Sequence, residues 1–355
     1  MNSKISEIFY TFCPVICVSQ IAQQKGWLRE EFSDEGITIS HISALPIQDW
    51  QFHFSHKHPR LFRDGGNIPP IWAKSEGVNT KVTGMTWAEQ GQVVMVSNDS
   101  AIKSVKQLKG KRLALPRRLP NLIDFRRART KRAFIMSLKT HGLTEDDIRW
   151  VDIPIDIPDI VTETRPSDTT GWKLAPKTLF KIPQEPEVDA LRRGEVDAIF
   201  SSNGNEIILE QTGAARILYD LNSYSDWKYK VNINYPYVTT VSGDLATEHP
   251  EIVVRWMKVL VRAGLWAKKH RLEVDEIFAK EIEAGKSIDA IRKSFPDDYH
   301  ERLVPEISEK GIEALEIEKN FLREHGFINN DFSITSWVDG SFLDAALKEI
   351  EAQAV

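Results

Sequence analysis

The sequence predicts an α/β fold, because short apolar runs typical of strands alternate along the chain with longer segments of helical periodicity. The chain has 355 residues, a length that normally divides into two domains. Strands are expected at residues 8–11, 36–42, 82–85, 93–96, 112–115, 149–151, 196–200 and 239–242. Helices are expected at residues 14–26, 130–142 and 188–193 and from residue 250 onward, with a long amphipathic helix at 311–325. Such alternation indicates a mainly parallel sheet.

Composition excludes several classes of partner. The net charge is -5 without a large block of either sign, which argues against nucleic acid. The basic run at residues 126–132 is interpreted as a solvated helix face. No stretch approaches the roughly 18 to 20 apolar residues that span a bilayer, and the apolar stretch at 9–22 lacks a signal-peptide cleavage site. We therefore expect a cytoplasmic protein, a monomer without a membrane partner.

Cys13 is the first candidate for chemistry. The two cysteines, Cys13 and Cys17, offer no disulfide framework. Cys13 ends the first predicted strand and precedes Pro14, which suits the first position of a helix. A cysteine at a helix N-cap gains a lowered thiol pKa, and the carboxyl ends of strands in α/β sheets bind ligands. A small buried hydrophobe is the alternative reading, and spacing alone leaves the two open.

A second candidate group follows at residues 53–66. Arg63 precedes Gly65 and Gly66, whose amides can donate to an anion, and its planar guanidinium suits an oxyanion. His53 is either a site residue or a structural histidine. The glycine pair is either an anion-binding segment or a plain turn. His53, His56 and His58 also form an H-x2-H-x-H pattern, but no carboxylate cluster accompanies it, so we expect no metal.

The middle of the chain resembles the nitrate, sulfonate and taurine solute-binding family. The resemblance is carried by the segments at residues 100–112, 141–148, 190–198 and 248–253. It implies a two-lobed, type II periplasmic-binding-protein-like fold with a ligand cleft between the lobes and a helical C-terminal segment. One lobe would comprise residues 1–98 and 236–355, and the other residues 99–235. The fold does not fix the function, since this scaffold serves transport, sensing and catalysis.

A more specific resemblance is to the hydroxybiphenyl sulfinate desulfinases. Its segments are Y-T-F-C-P-V at 10–15, H-F at 53–54 and R-D-G-G-N-I-P-P at 63–70, with further similarity at 263–270 and 302–305. It implies a cofactor-free enzyme that cleaves the C–S bond of an aromatic sulfinate and releases sulfite. Cys13 would be the essential thiol, acting as proton donor or as nucleophile, and His53 would orient and tune it. Substrate oxygens would bind Arg63 and the Gly65–Gly66 pair, chiefly the Gly66 amide, with Thr11 adding a hydroxyl.

The sequence departs from that pattern around the expected pocket. The segments 116–120 and 126–132 are basic, and residues 201–205 are polar where an aryl pocket would be apolar. Within this polar segment, Ser201 is expected to bind the substrate. We therefore expect a smaller substrate than a biphenyl, or one with a second acidic group. Two other functions stay open: a non-catalytic binding protein for sulfonate-type anions, and an aromatic-acid decarboxylase on the same scaffold.

Overall fold

The computed structural model describes residues 5–118, 122–155, 184–282 and 287–353. Its strands are β1 (Glu7–Phe12), β2 (Thr38–His41), β3 (Leu61–Gly65), β4 (Thr80–Thr86), β5 (Gln92–Val96), β6 (Arg112–Arg118), β7 (Arg149–Ile155), β8 (Ile199–Ser202), β9 (Arg216–Asp220) and β10 (Tyr237–Ser242). Most of residues 153–186, expected to be the least regular region, lie outside the described residues, as do Leu119 and Pro120.

Helices separate these strands and form the C-terminal part of the chain. They are α1 (Val18–Gln24), α2 (Trp27–Ser33), α3 (Phe52–Ser55), α4 (Ile68–Ser75), α5 (Phe125–Lys139), α6 (Glu185–Arg192), α7 (Asn205–Gln211), α8 (Trp227–Lys230), α9 (Gly243–Glu248), α10 (Pro250–Ala267), α11 (Arg271–Glu281), α12 (Ile288–Ser294), α13 (Glu309–Glu324), α14 (Ile334–Trp337) and α15 (Ser341–Gln353). None of the helices in the described part of the chain is long and apolar enough to cross a membrane.

The first sheet has the strand order β2-β1-β3-β10-β4. Strand β1 runs parallel to both β2 and β3, whereas β10 is antiparallel to β3 and β4. The chain thus returns to this sheet through β10, which includes the strand predicted at 239–242. Helix α10 covers one face, where Trp256 stacks on Phe62 of β3 with ring centroids 4.1 Å apart. This core fixes β3, the strand that carries Arg63.

The second sheet has the order β8-β5-β9 with antiparallel neighbours. Strands β6 and β7 form a parallel pair, which an isolated bridge between Leu113 and Ala198 connects to the segment before β8. Helix α5 packs on β5 and β6 through Phe134 and Leu138. Strand β5 pairs within this sheet although it precedes the predicted boundary at residue 98, and the division at residues 98 and 236 stays a prediction.

Several helix boundaries differ from the predicted ones, and two of these differences bear on the cavity. Helix α5 begins at Phe125, not at residue 130, because the Asp124 side chain accepts a hydrogen bond from the Arg127 backbone N–H and caps the helix. The predicted helix at 14–26 begins four residues late, at Val18, with Cys17 as its N-cap residue. Pro14 is therefore not the first helical residue.

Candidate active site

Cys13 lies in the bend between β1 and α1. Its backbone N–H donates to the Asp64 carbonyl of β3 at 2.9 Å, which extends the pairing of the two strands. The Gln20 side-chain amide closes the bend: Nε2 donates to the Cys13 carbonyl at 3.1 Å, and Oε1 accepts from the Cys17 N–H at 3.3 Å. The predicted N-cap position of Cys13 is thus wrong, since Cys17 occupies it.

Arg63 holds the site together from β3, where it lies opposite Thr11 of β1. Its side chain is 1% exposed. Nε donates to the His53 carbonyl at 3.1 Å, Nη1 to the Gly66 carbonyl at 2.9 Å and Nη2 to the Cys13 thiol at 3.0 Å. A guanidinium has five N–H donors, so these bonds occupy three of them.

The glycine pair is required by close packing around the thiol. Gly65 has a φ of +144°, and a Cβ at this position would lie 2.5 Å from Cys13 Sγ. A Cβ on Gly66 would lie 2.7 Å from Ile233 Cγ1 and 3.1 Å from Asn234 Oδ1. No side chain fits at either position without displacing the thiol or the segment at Ile233.

His53 connects the thiol to β1. Helix α3 places its Nδ1 2.8 Å from the Thr11 hydroxyl oxygen and its Nε2 3.6 Å from Cys13 Sγ. Burial, with a smaller contribution from the Arg63 charge, holds the His53 pKa well below its ordinary value. The imidazole is therefore neutral at neutral pH. An Nε2 that accepts from the thiol leaves the proton on Nδ1, which then donates to Thr11.

The thiol pKa is shifted in the direction opposite to the predicted one. Burial raises the pKa of Cys13 above its ordinary value, and the Asp64 charge raises it further, while Arg63 and a hydrogen bond from the Gly66 backbone lower it. The expectation of a lowered pKa is wrong for a physical reason: Cys13 is not the N-cap residue of the helix, and desolvation outweighs the nearby guanidinium. Cys13 is a neutral thiol at neutral pH.

A cavity of about 60 Å³ brings these groups together with residues from distant parts of the chain. Cys13, His53, Arg63 and Gly66 line it. Thr11 lies behind His53, and Gly65 lies against the thiol. The other lining residues are Pro14, Val15, Phe54, Pro69, Phe125, Arg126, Arg129, Asn203, Ile233 and Asn234.

The residues that line the rest of the cavity were only partly foreseen. Asn203 comes from the predicted polar segment at 201–205, but Ser201 is not among the lining residues and donates its hydroxyl hydrogen to Gln184 Oε1 at 2.5 Å. The binding role of Ser201 stays a prediction. Asn234 was missed, because it follows no recognisable motif and reaches the cavity only through tertiary packing.

The cavity has an aromatic surface that the sequence analysis did not anticipate. Phe54 and Phe125 stack with ring centroids 5.9 Å apart at an interplanar angle of 22°. Of the basic residues, Arg126 and Arg129 line the cavity, whereas Arg117 does not and pairs with Asp152 at 3.7 Å. Arg118 is also buried but is not a lining residue.

The basic run at 126–132 is therefore not a solvated helix face throughout. Arg132 is 3% exposed and its Nε lies 3.2 Å from Oε2 of the buried Glu318 on α13.

Among the described residues, no group of three histidine, cysteine, aspartate or glutamate side chains is arranged to hold a metal ion.

Comparison with solved structures places the chain among proteins of the periplasmic-binding-protein fold. A periplasmic aliphatic sulphonate binding protein from Escherichia coli matches with a TM-score of 0.65 at 14% identity, over 95% of this chain and 92% of that one. The predicted two-lobed, type II α/β class is thereby confirmed. No family model matches the sequence.

Within this class the chain is similar to a desulfinase over nearly its whole length. The 2'-hydroxybiphenyl-2-sulfinate desulfinase of Rhodococcus erythropolis is 27% identical over 373 aligned positions, covering 98% of this chain and 95% of the relative. A cysteine-to-serine mutant of a desulfurization enzyme, crystallised with biphenyl-2-sulfinic acid, matches with a TM-score of 0.74 at 25% identity, over 97% of this chain and 99% of that one. The resemblance stated from the sequence motifs is confirmed.

Proposed function

We propose that the protein is a cofactor-free desulfinase-like enzyme that cleaves the C–S bond of an aromatic sulfinate and releases sulfite. The observation that carries this proposal is the position of the Cys13 thiol, in contact with both His53 and Arg63 at the wall of one cavity. The similarity to the desulfinase over 98% of the chain supports it. A protein that only binds an anion does not need a thiol at this place.

The raised pKa of Cys13 favours a proton-donor role over a nucleophilic one. In this mechanism the thiol proton passes to the ring carbon that bears sulfur, the C–S electron pair returns to the ring, and sulfur dioxide leaves. The products are an arene, sulfur dioxide and the Cys13 thiolate. Water then hydrates sulfur dioxide to hydrogensulfite, and the proton released in that step restores the thiol.

The surroundings of the thiol suit each stage of this reaction. The neutral His53 leaves the proton on sulfur before the reaction. Afterwards the thiolate is stabilised by Arg63 Nη2, 3.0 Å away, and by the Gly66 backbone hydrogen bond. These donors are already in place, so the charge that develops on sulfur requires little reorganisation of the site.

Substrate oxygens would be held by donors on the same wall. Arg63 has two N–H groups beyond the three that bind protein acceptors. Asn234 is 5% exposed, and its Nδ2 has no hydrogen-bond partner among the described residues. Its Oδ1 faces Gly66, which places the amide near the thiol. We infer that Arg63 and Asn234 Nδ2 donate to the sulfinate oxygens.

A non-catalytic anion-binding protein is the second candidate, supported by the fold shared with the sulphonate-binding protein. Incubating the protein with a panel of aryl and alkyl sulfinates and assaying sulfite separates the two. The proposal expects sulfite and the desulfinated arene in equal amounts. Tight binding of the panel with every sulfinate recovered unchanged would instead identify a binding protein. We also expect the enzyme to act in the cytoplasm as a monomer.

A further inference from the structure

Arg63 and Asp64 are neighbours on β3, and adjacent residues of a strand point to opposite faces of the sheet. On one face the Arg63 side chain reaches His53 of α3. On the other face the Asp64 side chain reaches α1, where Oδ2 accepts from the Ser19 backbone N–H at 3.2 Å. The bend that carries Cys13 therefore has Arg63 bound to its thiol and Asp64 bound to the helix that follows it. The mechanism proposed above gives a task to Arg63 and none to Asp64.

Asp64 fixes this bend at both of its ends. Its backbone carbonyl accepts from the Cys13 N–H at 2.9 Å, where β1 ends. Its carboxyl accepts from the N–H of Ser19, the second residue of α1. The first N–H groups of a helix have no partners within the helix, and a carboxylate stabilises both these groups and the positive end of the helix dipole. One residue of β3 thus holds the start and the end of the segment that carries the thiol.

The Asp64 side chain is buried, with 3% of its surface exposed. Its Oδ1 accepts from Oγ1 of Thr239 at 3.5 Å, the residue opposite it on the antiparallel strand β10. Burial raises the pKa of the Asp64 carboxyl, whereas hydrogen bonds from Ser19, followed by the Arg63 charge, lower it. A carboxyl is a much stronger acid than a thiol, so Asp64 is ionised at the alkaline pH at which Cys13 titrates.

The negative charge of Asp64 acts on the thiol. Burial is the main cause of the raised pKa of Cys13, and the Asp64 charge opposes ionisation further, against the effect of Arg63. Arg126 and Arg129 of α5 also line the cavity. Loss of the Asp64 charge alone would therefore make the thiol a stronger acid. The other titratable groups near the thiol are uncharged at neutral pH: His53 of α3, Cys17 and Tyr237 of β10.

We propose that Asp64 is a positioning residue for the reaction: it fixes the bend that carries the Cys13 thiol, and its charge keeps the thiol in the protonated form that donates. This assignment rests on the proposed function, because a proton donor must carry its proton before the arene binds. Adjacent residues then have opposite tasks, since Asp64 favours the thiol before proton transfer and Arg63 stabilises the thiolate after it. Asp64 does not line the cavity, so it acts through Cys13.

Asp64→Asn isolates the charge. The asparagine keeps an amide oxygen for the Ser19 N–H and an amide nitrogen that can donate to Thr239 Oγ1, so the bend keeps its contacts. In a Cys17→Ser parent, Cys13 is the one cysteine of the chain, and its alkylation by iodoacetamide reports the thiolate fraction. We expect Asp64→Asn to be alkylated about three- to tenfold faster than the parent at pH 8, with the whole profile displaced to lower pH. The alkaline fall in kcat/KM moves in the same direction.

Two control variants separate the charge from general effects. Asp244→Asn makes the same change at an exposed carboxylate of α9, which accepts from the Asn79 side chain at 3.0 Å. Thr239→Val removes one hydrogen bond to Asp64 and leaves the charge in place. Both controls should follow the alkylation profile of the parent.

Asp64→Ala tests the positioning role, because it removes the contact to α1 together with the charge. Its kcat should fall about tenfold or more with a smaller change in KM, since the thiol is displaced while the donors to the substrate remain. Thermal unfolding shows whether the variant is folded. If it is not, the Asp64→Asn profile still decides.

Two results would overturn the assignment. One is an Asp64→Asn profile that coincides with that of the parent, and the other is a folded Asp64→Ala variant with the kcat of the parent. Alkylation needs no turnover, so the assignment and the proposed function can fail separately. A displaced profile without sulfite release from any sulfinate would remove the function and keep the effect of Asp64 on the thiol. Sulfite release with an unmoved profile would remove the assignment and keep the function.

Discussion

The two walls of the cavity differ in how their polar groups are held. On the sheet wall, Cys13, His53 and Arg63 bind one another through contacts of 2.8 to 3.6 Å that also include Thr11 and Gly66. On the opposite wall, Asn203 has a buried oxygen without a partner among the described residues. A wall whose groups already fix one another is suited to chemistry, since reacting groups must be positioned before substrate arrives. A wall with unmet hydrogen-bonding capacity is suited to selecting the ligand.

This difference has an origin in the elements that build each wall. Cys13 directly follows β1 and Arg63 lies in β3. The register of these two adjacent parallel strands sets the relative position of the two residues. Arg126 and Arg129 project from a helix whose place depends on the packing of the second sheet. We therefore expect substitutions on the sheet wall to abolish turnover and those on the helix wall to change selectivity.

The largest effect is expected for Cys13→Ser. A serine hydroxyl is a much weaker acid than a thiol, so sulfite release should fall by about a hundredfold to ten-thousandfold. The matched control is Cys17→Ser, which makes the same change at the N-cap of α1, at a residue that does not line the cavity. Steady-state sulfite assays and thermal unfolding of both variants give the comparison. Full activity in Cys13→Ser would remove the thiol from the mechanism.

Arg63→Lys tests whether the planar guanidinium is needed as well as the charge. A lysine cannot reach the His53 carbonyl, the Gly66 carbonyl and the thiol together. Binding of an aryl sulfonate should weaken by about 1 to 3 kcal/mol. Calorimetry measures the affinity for the sulfonate. Urea unfolding shows whether the variant has also lost stability, so that weaker binding can be told apart from partial unfolding. Arg60→Lys, three residues earlier, serves as the control. Unchanged affinity in Arg63→Lys would exclude Arg63 from substrate binding.

The pH dependence distinguishes the two roles of the thiol. The pKa of Cys13 is raised, so the protonated form dominates from neutral pH up to and beyond the ordinary thiol value. If the protonated form is active, kcat/KM is level across neutral pH and falls about tenfold per pH unit above the thiol pKa. Because the pKa of His53 is lowered, His53 stays neutral near the ordinary histidine pKa, and no loss of activity is expected there. A rate that rises with pH through the alkaline range would instead indicate a thiolate nucleophile.

The smallest effect is expected for Asn234→Ala. Loss of one neutral donor to a sulfinate oxygen should lower kcat/KM about fivefold, or about 1 kcal/mol. Asn98→Ala is the control, since Asn98 is exposed and donates to the Gly213 carbonyl away from the cavity. Stopped assays at low substrate concentration measure the ratio. Equal rates for Asn234→Ala and wild type would show that the unpartnered amide nitrogen does not contact substrate.

The sequence by itself determined the class of fold and pointed to most of the proposed site. Alternating apolar and helical periodicities identified every described strand except β3 and β9, because those patterns are local and report the face that each element buries. Cys13, His53 and Arg63 were singled out because the short motifs that contain them resemble those of the desulfinases, whereas spacing alone left their roles open. The strand that carries Arg63 was missed, since its sequence, Leu61–Gly65, is buried throughout and contains two charged residues that break an apolar pattern.

Only the tertiary structure decided the protonation state of the thiol and which distant residues line the cavity with it. The helix after Cys13 starts at Val18 because the Gln20 amide binds the backbone on both sides of the bend, and this takes the thiol out of the N-cap position. Its pKa then depends on desolvation, which is a property of the packed site. Asn234 and Arg129 are separated by over a hundred residues and share a cavity only through the packing of both sheets. Contacts at that separation in sequence leave no periodic signal, so no local pattern could reveal them.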